Sequence, residues 1–529
     1  MKYISKIILI IIISFIATSC SDFLDEQPRD EISTGQFFSE PAHAYSAVNT
    51  LYPNGVAGLY RGGIYSGTET MLGQYMSGFF DNEYKGQEPH VQNAQQLTLN
   101  GNNLDDYMNG IWAGMYGAIA RANNAIKYVP GTPGLTDAER TMLEAEARFF
   151  RAFAYYFMVR MFGEVPVITE PYESLENMYV SPNSVAEVYD LIVADLLFAV
   201  NQGNLSENAM VNNGYRITRG AARTILSEVY LTMSGFPLQE NHFAEAAEQA
   251  RAVINSGTYE LMQHSTNNEG EVIMENSAYN KIRKEEALAS EYIYLIEHEI
   301  GIGTTNYPGY CYPVALANEV KYAITNGAYQ PVEEFLWGYN PEEDLRVQNK
   351  QYFHTTFEDE DGETITFPPT PYIWHDTEAL FETATSGKDI QAYGYADVIL
   401  IAAEAIARTE GVTTEAVGYL ADIKSRAYWK QDRAAIENEL SGLSVDEFVE
   451  EVWEERYREL VFTFKTWFDI QRTRKFPQTS ENTRGQIEFV DLIGQENSWG
   501  QTFQERHLLF PLPERELQRN PELVQNSGY

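Results

Sequence analysis

Apolar residues recur at helical spacing through several long stretches of the chain. From 107 onward, Ile111, Met115, Ile119, Ala122 and Ile126 fall on one face. A turn at 130–134 follows, and Thr136 with Glu139 then forms a capping box that opens a second helix. These two segments predict an antiparallel helical hairpin. Ser184 with Glu187 caps the next helix, which carries Val188, Ile192, Ala194 and Leu197. Its antiparallel partner is 219–233, after a loop at 203–214, and 243–254 pairs with that helix across Gly235 and Pro237. A further hairpin joins 397–408 to 415–428 around Gly411. Small residues alternate with large ones inside these hairpins, as at Leu226 and Tyr230, Ala247 and Ala250, and Leu400, Ala403 and Ala407, a pattern similar to degenerate tetratricopeptide repeats. The prediction is a mostly α protein, a tetratricopeptide-like scaffold of helical hairpins with a loop-rich face and a few short β-hairpins.

Other stretches have a different texture. Residues 21–53 read as an acidic tether running into a first helix marked by Ala44, Ala47, Val48 and Leu51. Residues 55–103 are rich in glycine and aromatics with little period, and 292–390 is again loop-rich. Within the latter, 352–367 holds Asp361 and Gly362 between two runs with strand character, a β-hairpin signal. Its acidic tip, 358–363, lacks the spacing and terminal glutamate of a calcium loop and reads as a solvated turn. The prolines of the last fifty residues predict an extended tail with one short helix. The expected organisation is a leader at 1–19, an N-terminal helical region at 20–260 and a C-terminal region at 261–529. That last region divides into loops at 292–394, helices at 395–475 and the tail, and the two regions pack as one unit.

The segment 444–472 is the most charged of the helical stretches. Ser444 and Glu447 form a capping box, and Leu443 can staple onto Phe448. Downstream, Arg456 and Glu459 fall on the same face as Val445, Phe448, Val449, Val452 and Leu460. Buried charges persist only when paired, so Arg456 and Glu459, with Asp469 following, form either a structural ion pair or an active site.

At the N-terminus Lys2 and Lys6 precede an apolar run at 7–16 that is too short to span a bilayer, followed by Ala17, Thr18, Ser19 and Cys20. This is the layout of a secretory leader. The small residues before Cys20 resemble the cleavage box of a bacterial lipoprotein, in which that cysteine becomes the lipidated first residue. Cys311 is then left unpaired, and stability rests on the core. The whole chain carries 37 basic and 76 acidic residues. Loss of the two leader lysines leaves 35 against 76, a formal charge of −41. Such a surface repels phosphate backbones, which argues against a nucleic-acid partner.

Enzyme signatures are missing: there is no Walker loop, no glycine fingerprint after a strand, no nucleophile elbow and no zinc helix. The eight histidines are not spaced as metal pairs. No cofactor, metal site or catalytic residue is therefore expected. The positive signal is aromatic, with 35 Tyr, 27 Phe and 7 Trp making 13% of the chain. Flat rings held on loops can stack on sugar faces while Asn and Arg bond the hydroxyls. On this argument the candidate ligand-binding residues are Asn306, Tyr307, Tyr310, Tyr312, Phe79, Phe80, Tyr84, Trp337 and Trp374.

Several segments together resemble one family, the SusD/RagB lipoproteins of Bacteroidetes. Leu24 and Pro28 follow the lipid cysteine, Glu69 precedes Thr70, and Trp112, Tyr116, Arg121, Ala122 and Asn123 match further on. Arg151, Tyr155, Tyr156, Phe157, Phe162, Gly163, Val165 and Pro166 form one of the most telling stretches. Glu455, Arg456, Glu459, Leu460, Phe462, Trp467, Phe468, Asp469 and Arg472 match in 444–472. Phe510, Pro511, Pro513, Asn520, Pro521, Leu523, Asn526, Gly528 and Tyr529 match at the end. Thr463, Phe464 and Thr466 depart from the family pattern before Trp467. The resemblance implies a non-catalytic cell-surface protein, lipid-anchored through Cys20 to the outer membrane and facing the exterior. It would capture oligosaccharides and deliver them to a SusC-like TonB-dependent transporter. It also turns the charged face of 444–472 into scaffold, with Arg456 and Glu459 as a structural ion pair. Alternatives are a peptide-binding RagB-type member and, further off, a glycoside hydrolase on a helical barrel.

Overall fold

The three capping boxes form as the sequence predicts. Glu139 N donates to Thr136 Oγ1 at 3.2 Å, and Thr136 N donates back to the Glu139 carboxylate at 2.8 Å. Ser184 with Glu187 and Ser444 with Glu447 repeat the arrangement. Each box satisfies donors that the first helical turn leaves open. The computed structural model describes residues 37–529, apart from 64, 173–177, 323 and 360. The leader and Cys20 lie outside the described residues.

After a short helix α1 (Pro41–Asn49), two long helices, α2 (Asp105–Tyr128) and α3 (Asp137–Phe162), make the first hairpin. Gly163 ends α3 at φ +75°, a conformation that costs glycine little. Then come α4 (Val185–Asn201), α5 (Arg219–Met233) and α6 (Phe243–Ile254). Last in the scaffold are α7 (Tyr395–Glu410), α8 (Thr414–Ala427), α9 (Val445–Glu459) and α10 (Thr466–Thr473). From α2 to α8 each helix packs on the next, α6 on α7 included, and α9 lies against α7. The scaffold is therefore continuous although 255–394 is inserted between α6 and α7.

That insert leaves and returns at one place. Strand β1 (Tyr292–Ile296) pairs antiparallel with β4 (Ile390–Gly394) at its base. Between them, β2 (Phe353–Glu358) and β3 (Thr364–Pro371) form the predicted hairpin, with Gly362 at φ +82° in the turn. The Asp359 carboxylate caps the tip by accepting from the backbone N–H groups of Asp361 and Glu363 at 3.0 and 2.8 Å. The base is pinned to the scaffold by rings: Tyr294 meets Phe153 edge-on with centroids 5.4 Å apart, and the Tyr393 hydroxyl donates to Glu228 on α5.

Two regions differ from the sequence expectation. Residues 55–103, read as loop, contain the short helices Val56–Leu59, Leu72–Ser77 and Pro89–Gln95. These turns are too short to show a 3.6-residue period. The tail holds its one short helix, Glu514–Arg519, but is preceded by an unpredicted strand pair, Lys475–Thr479 with Ile487–Asp491. The tail then straps the end of α3: Phe510 N donates to the Met161 carbonyl at 2.7 Å, and the Asn526 amide to the Phe162 carbonyl at 3.0 Å. One hydrophobic core runs from Phe38 to Leu523 through both halves. Among the described residues no helix is long and apolar enough to cross a membrane.

Candidate functional site

The charged face of 444–472 is sealed inside the scaffold. Arg456 and Glu459, expected to pair with each other, do not: one helical turn apart, they point to different partners. Arg456 Nε reaches Asp469 at 2.9 Å, and Asp469 also holds Arg472, which grips Glu404 through two bonds of 2.7 and 2.8 Å. Glu459 instead accepts from Arg426 at 2.6 Å and from Arg346 at 2.9 Å. Arg346, fully buried, also binds Asp344 and Glu455. Burial alone would raise the Glu455 carboxyl, but the guanidinium groups of Arg346 and Arg458 hold it down to about 2. Every acid in this lattice is committed to a base, so it braces α7, α8, α9 and the insert against one another. Where Arg472 borders a pocket, Glu404 and Asp469 already hold it, so the lattice offers no free charged group for chemistry there.

The loop aromatics are mostly core as well. Phe79, Phe80, Tyr307, Tyr310, Tyr312 and Trp374 are each no more than 5% exposed. The Tyr307 hydroxyl donates to the Tyr60 carbonyl at 3.0 Å and the Tyr310 hydroxyl to the Gly63 carbonyl at 2.7 Å. Trp374 lies edge-on to Tyr307 at 4.7 Å and to Phe462 at 5.1 Å. Phe80 stacks on Tyr329 at 3.9 Å, and Phe79 on Phe476 at 5.3 Å. A Cβ at Gly62 would lie 2.1 Å from the Tyr310 hydroxyl, a measure of how closely this loop fits. The expectation that Phe79, Phe80, Tyr307, Tyr310 and Trp374 stack on a ligand is corrected here. An irregular segment laid over a helical scaffold must supply its own core, and these rings do so. Trp337 is half-buried at the end of a short helix. Tyr84 is half-buried and edge-on to the exposed Tyr65 at 4.8 Å.

Two candidate residues do border open space, on two clefts that flank 297–322. Asn306 lines a polar cleft of about 640 Å³ with Arg61, Tyr215, Glu297 and His298. Its amide donates to the Gly62 carbonyl at 3.1 Å. Behind that cleft His298 N donates to Asp389 at 2.8 Å, and burial, together with Glu285 and Glu297, pushes the Asp389 carboxyl up to about 7.

Tyr312 lines the second cleft, about 530 Å³, whose other rings are Phe357, Tyr372 and Phe381. Phe357 comes from β2 and is edge-on to Tyr312 at 5.8 Å; Phe381 stacks parallel to it at 6.0 Å. Tyr372 follows β3 and is covered on one side by the Arg283 guanidinium at 4.8 Å. Phe357, Tyr372 and Phe381 are only half-buried. Asn318, Lys321, Lys350 and Asp359 supply polar groups around the rings. On the floor His375 Nε2 lies 3.3 Å from the Tyr312 hydroxyl, its Nδ1 has no partner among the described residues, and burial keeps the ring neutral by lowering its pKa. This is an aromatic trough with a polar rim, of a size that takes a small oligomer. Phe357, Tyr372 and Phe381 were missed by a reading that looked for rings beside glycine and proline. For Phe357 the signal was the hairpin itself, whose strands place alternate side chains on one face; Tyr372 lies just past β3 and Phe381 on the helical turn Ala379–Thr383, and no pattern in the sequence marked either.

A helical-repeat scaffold carrying a loop-built cleft on a single long insert defines a binding protein of the SusD class. Residues 337–529 match the SusD family, and 22–231 match the SusD-like group described as starch-binding associating with outer membrane. The chain belongs to the SusD/RagB family. It is 26% identical to SusD-like protein P2 of Formosa agariphila over 98% of both chains. It is 26% identical to the starch-binding protein SusD of Bacteroides thetaiotaomicron, over 62% of this chain and 57% of that one. Among solved structures, a SusD superfamily protein from Parabacteroides distasonis superposes with a TM-score of 0.80 at 28% identity, covering 92% of this chain and 99% of that one. Surface glycan-binding protein A of Bacteroides thetaiotaomicron, solved with laminarihexaose, shares the fold with a TM-score of 0.68 at 17% identity, covering 92% and 100%.

Proposed function

We propose that this protein is a non-catalytic, cell-surface glycan-binding lipoprotein that captures oligosaccharides and passes them to a SusC-like transporter. It would be anchored at Cys20 in the outer membrane and face outward. The observation that carries the reading is the trough of Tyr312, Phe357, Tyr372 and Phe381 with its polar rim. Half-exposed rings offer apolar faces to pyranose rings, and Asn318, Lys321 and Asp359 can bond hydroxyls. The starch-binding and laminarihexaose-bound relatives support a neutral glucan as the first ligand to try. The polar cleft at Asn306 is the place for an extension of the same chain, on the other side of 297–322.

Calorimetry against malto- and laminari-oligosaccharides tests this. Tyr372→Ala and Phe381→Ala each remove one stacking face and should cost about 1–2 kcal/mol of binding, roughly 5–30-fold in affinity. Melting should change little, because both rings are half-exposed. Unchanged affinity in both variants, with loss in Arg61→Ala, would move the primary site to the polar cleft. Release of reducing sugar by the purified protein would overturn the non-catalytic reading.

A further inference from the structure

A separate pocket of about 240 Å³ opens where the end of α3 meets α10 and the turn at Phe236 and Pro237. Its walls are apolar, with Val159, Val185, Phe236, Phe468 and Leu508. Arg160 lines it and is only 8% exposed. The guanidinium carbon of Arg160 lies 3.6 Å from the Tyr156 ring centroid and 3.8 Å from that of Phe468. Rings that close sandwich the guanidinium, and Phe157 lies 4.8 Å away as a third ring, so only part of its edge is turned to the pocket. Among the described residues its only hydrogen bond runs from Nε to the Tyr156 carbonyl at 3.1 Å, and it forms no salt bridge. Glu228, whose charge acts on it, is already engaged by Lys465 at 2.8 Å and by the Tyr393 hydroxyl.

A buried arginine without a carboxylate stands out in a chain of net charge −39, where acids outnumber bases two to one. The surroundings strengthen the contrast. Arg472 and Arg474 also line the pocket, but Glu404 and Asp469 hold the first and Glu505 the second, whereas Arg160 has no carboxylate among the described residues. Gln471 fixes the backbone beside Arg160 by donating to the Arg160 carbonyl at 3.3 Å, and its own Oε1 is buried without a partner. A guanidinium stacked on both faces presents its terminal N–H groups along one edge, the geometry that takes a carboxylate bidentately. The apolar walls of Val159, Val185, Phe236, Phe468 and Leu508 fit a hydrocarbon body.

We infer that this pocket binds a small organic carboxylate with an apolar body, its carboxylate held by Arg160 and its body by Val185, Phe236 and Phe468. The site is distinct from the aromatic trough and does not depend on it. The probe is 3-phenylpropionate, titrated into the full mature chain by calorimetry, with 3-phenylpropan-1-ol as the neutral control. The acid should saturate one site and bind about tenfold or more tightly than the alcohol. Arg160→Met should weaken it by about tenfold or more. Val185→Phe, at the half-buried first position of α4, fills the pocket while leaving Arg160 in place, and should weaken the acid equally without changing the melting temperature. If Arg160→Met fails to fold, the acid–alcohol contrast and Val185→Phe still decide. No saturation by about 10 mM acid, equal binding of acid and alcohol, or full affinity in Val185→Phe would each overturn the assignment.

Discussion

At the scale of single residues, this protein separates two kinds of buried carboxyl by what lies beside them. Glu455 and Glu228 are held down to about 2, against the pull of burial, by Arg346 and by Lys465 respectively. Glu69 and Asp389 are pushed up to about 7, chiefly by burial, which at Asp389 the His298 backbone N–H and the Lys388 charge offset only in part. The two kinds act on stability with opposite signs. A carboxyl depressed in the fold stabilises above its unfolded pKa of about 4, and that contribution is lost as pH falls toward 2. A carboxyl raised in the fold binds its proton earlier there than in the unfolded chain. Its penalty is therefore relieved as pH falls from about 7 to about 4. The buried histidines act the other way below about pH 6.5, because His90 and His354, held down to about 4 by burial, must stay neutral in the fold, so the carboxyl contribution is read as the difference between parent and variant. Asp389→Asn should gain melting temperature on the parent at pH 8 relative to pH 5. Glu455→Gln leaves Arg346 and Arg458 short of a counter-charge and should cost about 3–5 kcal/mol at pH 7. Scanning calorimetry across pH checks both; an Asp389→Asn protein whose melting temperature relative to the parent is the same at pH 8 as at pH 5 would contradict the assignment of Asp389.

At the scale of elements, the helices were legible because their apolar positions kept a period, reinforced in three of them by a cap. Thr136, Ser184 and Ser444 marked where helices begin, and small residues such as Ala247, Ala250 and Ala403 marked where they pack closely. The insert carried neither, only composition, and composition does not say which side of a loop faces water. Tyr307 and Tyr310 show the consequence. They sit beside glycine and proline, as a ligand-binding ring would, yet their hydroxyls are tied to the backbone of 60–63 and their rings to Trp374. Tyr312, one residue past that turn, has its edge on an open cleft instead. Removing a ring from such a site deletes core. Tyr310→Ala should therefore cost about 3–5 kcal/mol, and Tyr310→Phe, which loses only the bond to Gly63, about 1 kcal/mol. Thermal melts of the pair check this, with glycan affinity measured on whatever fraction folds. A Tyr310→Ala protein that melts like the parent but binds glycan poorly would return the ring to the binding face. The ion pairs of 444–472 were half legible for a similar reason. A charge on an apolar helix face announces a buried partner, but Arg346 and Arg426 lie on other segments, and spacing within one helix cannot find them.

At the scale of the whole molecule, the scaffold and its insert divide the labour. The helices from α2 to α10 and the tail strap form a closed frame, and the insert is attached to it at β1 and β4. Both clefts belong largely to that insert, so ligand preference can change there while the frame stays fixed. The strongly acidic surface opposes adsorption to other anionic surfaces, so the proposed outer-membrane placement depends on the proposed anchor at Cys20. Sixteen residues, 21–36, lie between Cys20 and the first described residue, Phe37. Fully extended they reach about 55 Å, enough for the clefts to be presented well away from the bilayer. A single acyl chain binds a membrane only marginally, so the proposed anchor must carry more than one to be stable. Labelled palmitate should enter the wild-type protein and not Cys20→Ala. The variant should fractionate with soluble material, and external protease should remove the wild-type protein from intact cells. Wild-type protein that takes up no label, or that resists external protease on intact cells, would rule out the outward-facing lipid anchor while leaving the glycan-binding trough to be judged on its own variants.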